Sequence, residues 1–324
     1  NFPFAERTRP MGLGGTDIGA ILGLSPYKTP IELWSELVSG EQPANRDLIH
    51  LRFGQHAESF IANEYERATD LFTAIHSPTM FHKKHGFMFG HVDRFVLETP
   101  DTPAVVDGTI TANKLLECKT SSAFSKNDWG VPGTDQVPPL YLVQCAWYMA
   151  ITECQSADLA VLIGNSDFRV YTIDRDLELE ELILSHAQHF WHEHVLKDIP
   201  PPVQSPEDCQ LLFERSDPAK TLEANAETLT LLERLQKLHH QGNACEEEIT
   251  TLKTQIMAQM QDAEVLAHQG QILATWKAPK ASYRLDAKRL EAEERAIYEK
   301  YKVASQVSRR FVLKDTSPVL TASH

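Results

Sequence analysis

Apolar residues change their spacing several times along the chain, and each change marks an element. In TDIGAILGLSP, residues 16–26, a short apolar run follows Thr16 and Asp17 and stops at Gly23, which predicts a short helix. TPIELWSELVSG, residues 29–40, carries both helix punctuation marks, with Thr29 as N-cap, Pro30 at the first helical position and Gly40 at the end. In RDLIHLRFGQHAESFIANEYERAT, residues 46–69, Ala57, Phe60, Ile61 and Tyr65 recur at helical spacing, predicting a longer amphipathic helix or a helix pair. The pattern then shortens. GFMFGHVDRFVLE (86–98) and NKLLECKT (113–120) read as strands joined by a Pro/Asp/Gly-rich connection. PPLYLVQCAWYMAITE (138–153) opens with two prolines and continues as a dense apolar face, so it reads as a helix. SADLAVLIGNSDFRVYTIDRD (156–176) gives two strands around a Gly-Asn-Ser-Asp turn, and LELEELILSHAQHFWHEHVL (177–196) returns to helix. This order predicts an α/β (α+β) domain over residues 1–200, a mixed sheet with helices on both sides.

Beyond it, residues 201–220 form a Pro-rich linker. Residues 221–324 read as an extension beginning with a helical hairpin. Leu229, Leu232, Leu235 and Leu238 precede a Gln-Gly-Asn break, and Ile249, Leu252, Ile256 and Met260 follow it. A β-hairpin about residues 267–271, a strand at 272–278, a helix over 286–301 and a strand over 308–314 complete this small α/β extension.

Composition narrows the class. A length of 324 residues fits about two domains. No run reaches the roughly 18 apolar residues of a membrane helix, so no membrane partner is expected. The five cysteines, Cys118, Cys145, Cys154, Cys209 and Cys245, are scattered and odd in number, which fits a reducing, cytoplasmic setting better than a disulfide framework. The net charge of -14 opposes nucleic-acid binding only on average, because screening over about 8 Å leaves room for a local basic groove. Residues 222–265 hold eight acidic against three basic side chains and are expected to face solvent or a partner. Residues 275–315 reverse this, eleven basic against six acidic. Trp276, Lys277, Tyr283, Arg284, Arg309 and Arg310 interleave there, a pattern that fits either DNA contact or an exposed, salt-bridged helix.

The sharper chemistry lies in LLECKT, residues 115–120. In a strand Glu117 and Lys119 share one face while Leu116, Cys118 and Thr120 share the other. A surface ion pair accounts for the triplet alone. Its surroundings change the reading. Asp93 lies in the preceding apolar strand, so two carboxylates and an amine fall on adjacent strands. Two carboxylates, with the backbone carbonyl of Cys118 as an extra ligand, suit one or two hard divalent cations such as Mg²⁺ or Mn²⁺. The lysine then eases formation of hydroxide and offsets charge developing on a phosphodiester. Glu58 lies on a helix face upstream, and Gln144 and Tyr148 stand four apart on one helix face.

Five ordered stretches, GLGGTDIGAILGLSPYKTPIELW, LRFGQHAES, GHVDRFV, LLECKTSSAFSKNDWG and VPPLYLVQCAWYMAIT, cover most of residues 9–155. Together they resemble the YqaJ-type phage recombinase nucleases, relatives of the lambda exonuclease in the PD-(D/E)XK superfamily. That resemblance implies a restriction-endonuclease-like core with Asp93, Glu117 and Lys119 at its catalytic centre, Glu58 as a further metal-shell acid and Gln144 with Tyr148 as the family's Q-x-x-x-Y pair. Arg9 and Thr16 fall where relatives hold a 5′-terminal phosphate. It further implies a double-stranded DNA end as substrate, 5′-to-3′ digestion of one strand to mononucleotides, a ring-shaped homotrimer and a partnership with a phage single-strand annealing protein. Asp107, ten residues before Glu117, is an alternative first acid. Asp93 is favoured because VDRFV reads as strand and Asp107-Gly108 as a turn. A non-catalytic DNA-end scaffold and an endonuclease are the competing functions.

Three further motifs carry less. GLGG, residues 12–15, lacks the Lys-Ser/Thr of a phosphate loop. His189, His192 and His194 lack metalloprotease spacing and read as a helical surface cluster. His82, Lys83, Lys84 and His85 form a basic tip or a solvated turn.

Overall fold

The computed structural model describes residues 11–40, 49–280, 282–303 and 309–314. The chain divides into two compact units, Asn1–Leu212 and Phe213–His324.

The first unit is organised by a five-stranded sheet whose spatial order follows the sequence: β1 (Phe72–Ala74), β2 (Arg94–Leu97), β3 (Lys114–Ser121), β4 (Ser156–Ile163) and β5 (Asp167–Asp174). All neighbours pair antiparallel except β3 and β4, which run parallel from Lys114↔Ser156 to Ser121↔Ile163. A parallel pair needs a crossover, and helix α4 (Pro139–Thr152) supplies it. The sheet is therefore mixed, as expected from the order of elements.

Alternation along β3 assigns the two faces. Leu115 packs with Trp147 of α4, with Leu159 and with Val161 on one side. Leu116 packs on the other with Ala57, Ile61, Ala62 and Tyr65 of α3 (Ile49–Thr69). Each such fully buried side chain contributes about 1.5–3 kcal/mol relative to exposure. Helices α1 (Asp17–Ile21), α2 (Pro30–Ser39) and α5 (Leu177–His189) add to the α4 side. Helix α2 starts as its sequence dictates. Glu32 donates its amide to Thr29 Oγ1, and Thr29 donates its amide to the Glu32 carboxylate, a full capping box; Gly40 closes the helix in the left-handed region at φ 69°. Helix α5 runs into one π-type turn, Phe190–Val195, which buries Phe190 and Trp191.

Within the expected linker, Pro206–Leu212 forms helix α6. Its Asp208 accepts hydrogen bonds from Thr29 Oγ1 at 2.6 Å and from the amides of Gln204 and Ser205, which ties the stretch to the start of α2.

The second unit corrects three expectations. The helical hairpin is one continuous helix, α7 (Ala226–Met260), of 35 residues. Gly242 sits inside it in open space and outside the left-handed region. A mid-helix glycine costs only about 1 kcal/mol, which does not turn the chain by itself. The helix expected over 286–301 is split at Glu294 into α8 (Ala287–Glu293) and α9 (Arg295–Tyr301). Residues 309–314, expected as part of a strand, have no strand partner among the described residues. The expected β-hairpin is present, Val265–His268 pairing antiparallel with Gln271–Thr275. Among the described residues no helix is long and apolar enough to cross a membrane.

Candidate active site

Strand β3 determines the direction of the two residues that matter most. Leu115 faces α4, so two-residue alternation aims Glu117 and Lys119 at α4 as well, while Cys118 joins Leu116 on the α3 side. The register Arg94↔Leu116 brings Asp93, one residue before β2, next to Glu117. Asp93 stands at a bend immediately before the strand rather than inside it. Its Oδ2 accepts the Cys118 amide at 2.7 Å.

The polar contacts converge on Glu117, which is 3% exposed. Its Oε1 accepts from Lys119 Nζ at 2.6 Å and from Gln144 Nε2 at 2.8 Å. Gln144 in turn donates to the Tyr148 hydroxyl at 3.1 Å. The other oxygen, Glu117 Oε2, is buried and is the one such side-chain atom without a hydrogen-bond partner among the described residues. An orphaned buried carboxylate oxygen is costly, and it marks a position where a ligand belongs.

Electrostatics agree with that geometry. Burial pushes the Asp93 carboxyl well above the usual carboxylate range; the neighbouring Glu117 and Glu58 charges add to this, against Lys119 and the Cys118 amide. Burial raises Glu117 too, opposed chiefly by Lys119. For Lys119 burial favours the neutral amine, but Glu117 and Asp93 outweigh it and hold the ammonium protonated far above neutral pH. Two acids that repel each other, with one cation paired to Glu117, make a site that gains from more positive charge.

Glu58 reaches this centre by its charge, but its carboxylate is held by Arg94, which also donates to the Asp93 carbonyl at 2.5 Å. Arg94 follows Asp93 directly, so it points to the α3 side, where Glu58 lies. The motifs do not single Arg94 out, although a cation inside an apolar strand is a signal that could have found it. Asp107 and Gly108 occupy an exposed tight turn, at φ 48° and 76°, between the strands Val105–Val106 and Thr109–Ile110. Asp93, not Asp107, is the acid beside Glu117.

The glycine turn before α1 enters the same network. A Cβ on Gly15 would lie 2.6 Å from two ring carbons of Tyr148 and 2.8 Å from its hydroxyl. Gly14 donates its amide to Asp17 Oδ2 at 2.7 Å. Thr16 begins α1 with its hydroxyl making no cap bond, and it is exposed. Arg9 lies outside the described residues. The histidines of the Phe190–Val195 turn bind locally, His194 to the Ile199 carbonyl at 3.0 Å. His82 and His85 stack on each other at 4.8 Å.

Among the described residues no three His, Cys, Asp or Glu side chains gather closely enough to cage an ion by themselves. The donor set still fits a hard divalent cation, since two carboxylates with a free buried oxygen leave most of the coordination shell to water and substrate, as Mg²⁺ prefers.

Residues 6–155 match the family model of the YqaJ-like viral recombinase domain. The chain is 28% identical over 316 residues to "Uncharacterized protein YqaJ" of Bacillus subtilis (strain 168), covering 95% of this chain and 93% of that one. Among solved structures it is similar to an alkaline exonuclease (LHK-Exo) from Laribacter hongkongensis, at 18% identity and a TM-score of 0.45, over 58% of this chain and 90% of that one. A phage related exonuclease from Haemophilus somnus 129PT matches at 14% identity and a TM-score of 0.41, over 58% of this chain and 96% of that one.

Proposed function

We propose, from the match of residues 6–155 to the model of the YqaJ-like viral recombinase domain, that the chain is a divalent-cation-dependent exonuclease. It digests one strand of linear double-stranded DNA from the 5′ end and leaves 3′ single-stranded tails for recombination. The observation that carries this reading is the cluster of Asp93, Glu117 and Lys119 around a buried carboxylate oxygen that lacks a partner.

In this reading Asp93 and Glu117 would hold Mg²⁺ or Mn²⁺, with the Cys118 carbonyl as a further ligand, and Glu58, paired with Arg94, would add negative charge nearby. A bound cation would supply positive charge that lowers the pKa of a water and offsets negative charge on an oxygen. Lys119 is protonated and so acts as a fixed charge rather than a base. It favours hydroxide over water and stabilises the negative charge that builds on the phosphate. Gln144 pins Glu117 Oε1, leaving Oε2 for the ligand, and Tyr148 orients Gln144. Arg9 and Thr16 hold the 5′-terminal phosphate, which sets the cut one nucleotide from the end. A homotrimer around the duplex and a single-strand annealing protein as partner complete the proposal.

The test is digestion of linear duplex with and without a 5′ phosphate, in Mg²⁺ or in EDTA, beside covalently closed circles. Nucleotide release is expected only from linear DNA with the cation, and fastest with the 5′ phosphate. Release in EDTA, or cutting of the closed circle, overturns the reading. Indifference to the phosphate removes the roles of Arg9 and Thr16.

A further inference from the structure

Beyond Lys119 lies a cavity of about 390 Å³ that the chemistry above does not use. It begins where β3 leaves the centre: Ser121, two residues past Lys119, lines it, as does Tyr141, whose ring centroid is 5.4 Å from Lys119 Nζ. Two strand residues span roughly 7 Å, about the length of one nucleotide step.

Its walls combine aromatic and hydroxyl side chains with leucines and prolines. Trp129 and Tyr141 stack at 5.4 Å with their planes 20° apart, and Trp129 Nε1 donates to Ser121 Oγ at 3.2 Å, so this wall is fixed. Tyr27 stands on the rim, 81% exposed. Ser121 and Ser122 each accept one hydrogen bond, from Trp129 Nε1 and from the Phe124 amide, which leaves both hydroxyl protons available to a ligand. No lysine or arginine lines the space, and the charged side chain there is Asp128. That composition disfavours a phosphate, which needs charged donors, and suits an uncharged ring with polar edges.

We infer that this cavity seats the base and sugar of the nucleoside next to the scissile phosphate, with the base stacked on exposed Tyr27 and buried Trp129 only backing the Tyr141 side of the seat. The inference rests on the nuclease reading and adds to it where the strand goes after Lys119. Stacking takes any base, so the seat positions the strand without reading its sequence.

The test uses the full chain in EDTA, so that no strand is cut. Linear duplexes carry 2-aminopurine, a base whose emission falls on stacking, at the first or the second position of the 5′-ended strand. Binding is followed by anisotropy of a distant dye. Wild type and Tyr27→Phe are expected to quench 2-aminopurine at one of the two positions. Tyr27→Ala should bind the duplex with that quenching lost and with affinity for a frayed end lowered about five- to a hundredfold. Tyr27 is exposed, so its removal leaves the core intact. Binding with the same emission in Tyr27→Ala as in wild type, or no quenching at either position, overturns the inference and leaves the nuclease reading standing. Absence of any DNA binding would sink both.

Discussion

Replacing Gly15 by alanine tests the least obvious link in the site. The backbone of Gly15 is not in the left-handed region, so alanine adds no backbone strain and the whole effect is steric. The new methyl would lie 2.6 Å from two Tyr148 ring carbons, against 3.4–4 Å for an ordinary contact. Tyr148, a residue of α4, is 7% exposed, and its ring also lies against Gly90. It must therefore move by about 1 Å, and overpacking of this kind costs about 1–3 kcal/mol. For a unit of this size each kcal/mol lowers Tm by about 2–4 °C. Tyr148 bears on Gln144 at 3.1 Å and Gln144 on Glu117 at 2.8 Å, so displacement is passed to the carboxylate. A misplacement near 1 Å at a reacting group lowers the rate by about 10²-fold. Single-turnover release of nucleotides from linear duplex, with a thermal melt, measures both effects. In a Tyr148→Ala background the same substitution should cost almost nothing, because the clash is gone. Wild-type rate and Tm in Gly15→Ala would show that Tyr148 does not transmit position to Glu117.

Further outcomes follow from the same geometry. Lys119→Ala should lower nucleotide release by at least about 10²–10³-fold while DNA binding stays largely intact; an unchanged rate removes Lys119 from the mechanism. In EDTA the raised pKa values of Asp93 and Glu117 mean that the folded protein holds protons the unfolded chain has released. Their contribution to stability is thus full below the ordinary carboxylate range and is lost as pH rises through the raised values. Urea unfolding from mildly acidic to mildly alkaline pH should show that decline, and Asp93→Asn should flatten it. Equal slopes in the two proteins would contradict the assignment. Mg²⁺ near neutral pH should restore stability, by about 2.7 kcal/mol at a hundredfold excess over Kd, and Asp93→Asn should lose that response in a melt. Arg94→Ala leaves Glu58 without its cation and should cost about 1–3 kcal/mol by urea unfolding; an unchanged midpoint would mean the pair is dispensable.

Much of the centre is legible in the amino-acid sequence by itself. Strand alternation alone puts Glu117 and Lys119 on one face, because side-chain direction in a strand is a local property of the backbone. Thr29, Pro30 and Gly40 bound α2 for the same reason: capping is satisfied within a few residues. Asp93 stands out as a carboxylate in apolar surroundings, and the five ordered stretches point to the family whose model matches residues 6–155. Other features need the register of the sheet and the landing of helices far apart in the chain. Only the packing of α4 over the Glu117 face joins Gln144 to Glu117, and only the return of the Gly14-Gly15 turn presses on Tyr148. The Arg94–Glu58 pair joins a strand to a helix 36 positions away. Helix α7 shows the opposite case: Gly242 and its polar neighbours are locally compatible with a turn and with a helix, and the turn expected there gives way to unbroken helix. A side chain's direction is set by its own backbone, whereas its partner is set by whichever distant segment the core brings against it.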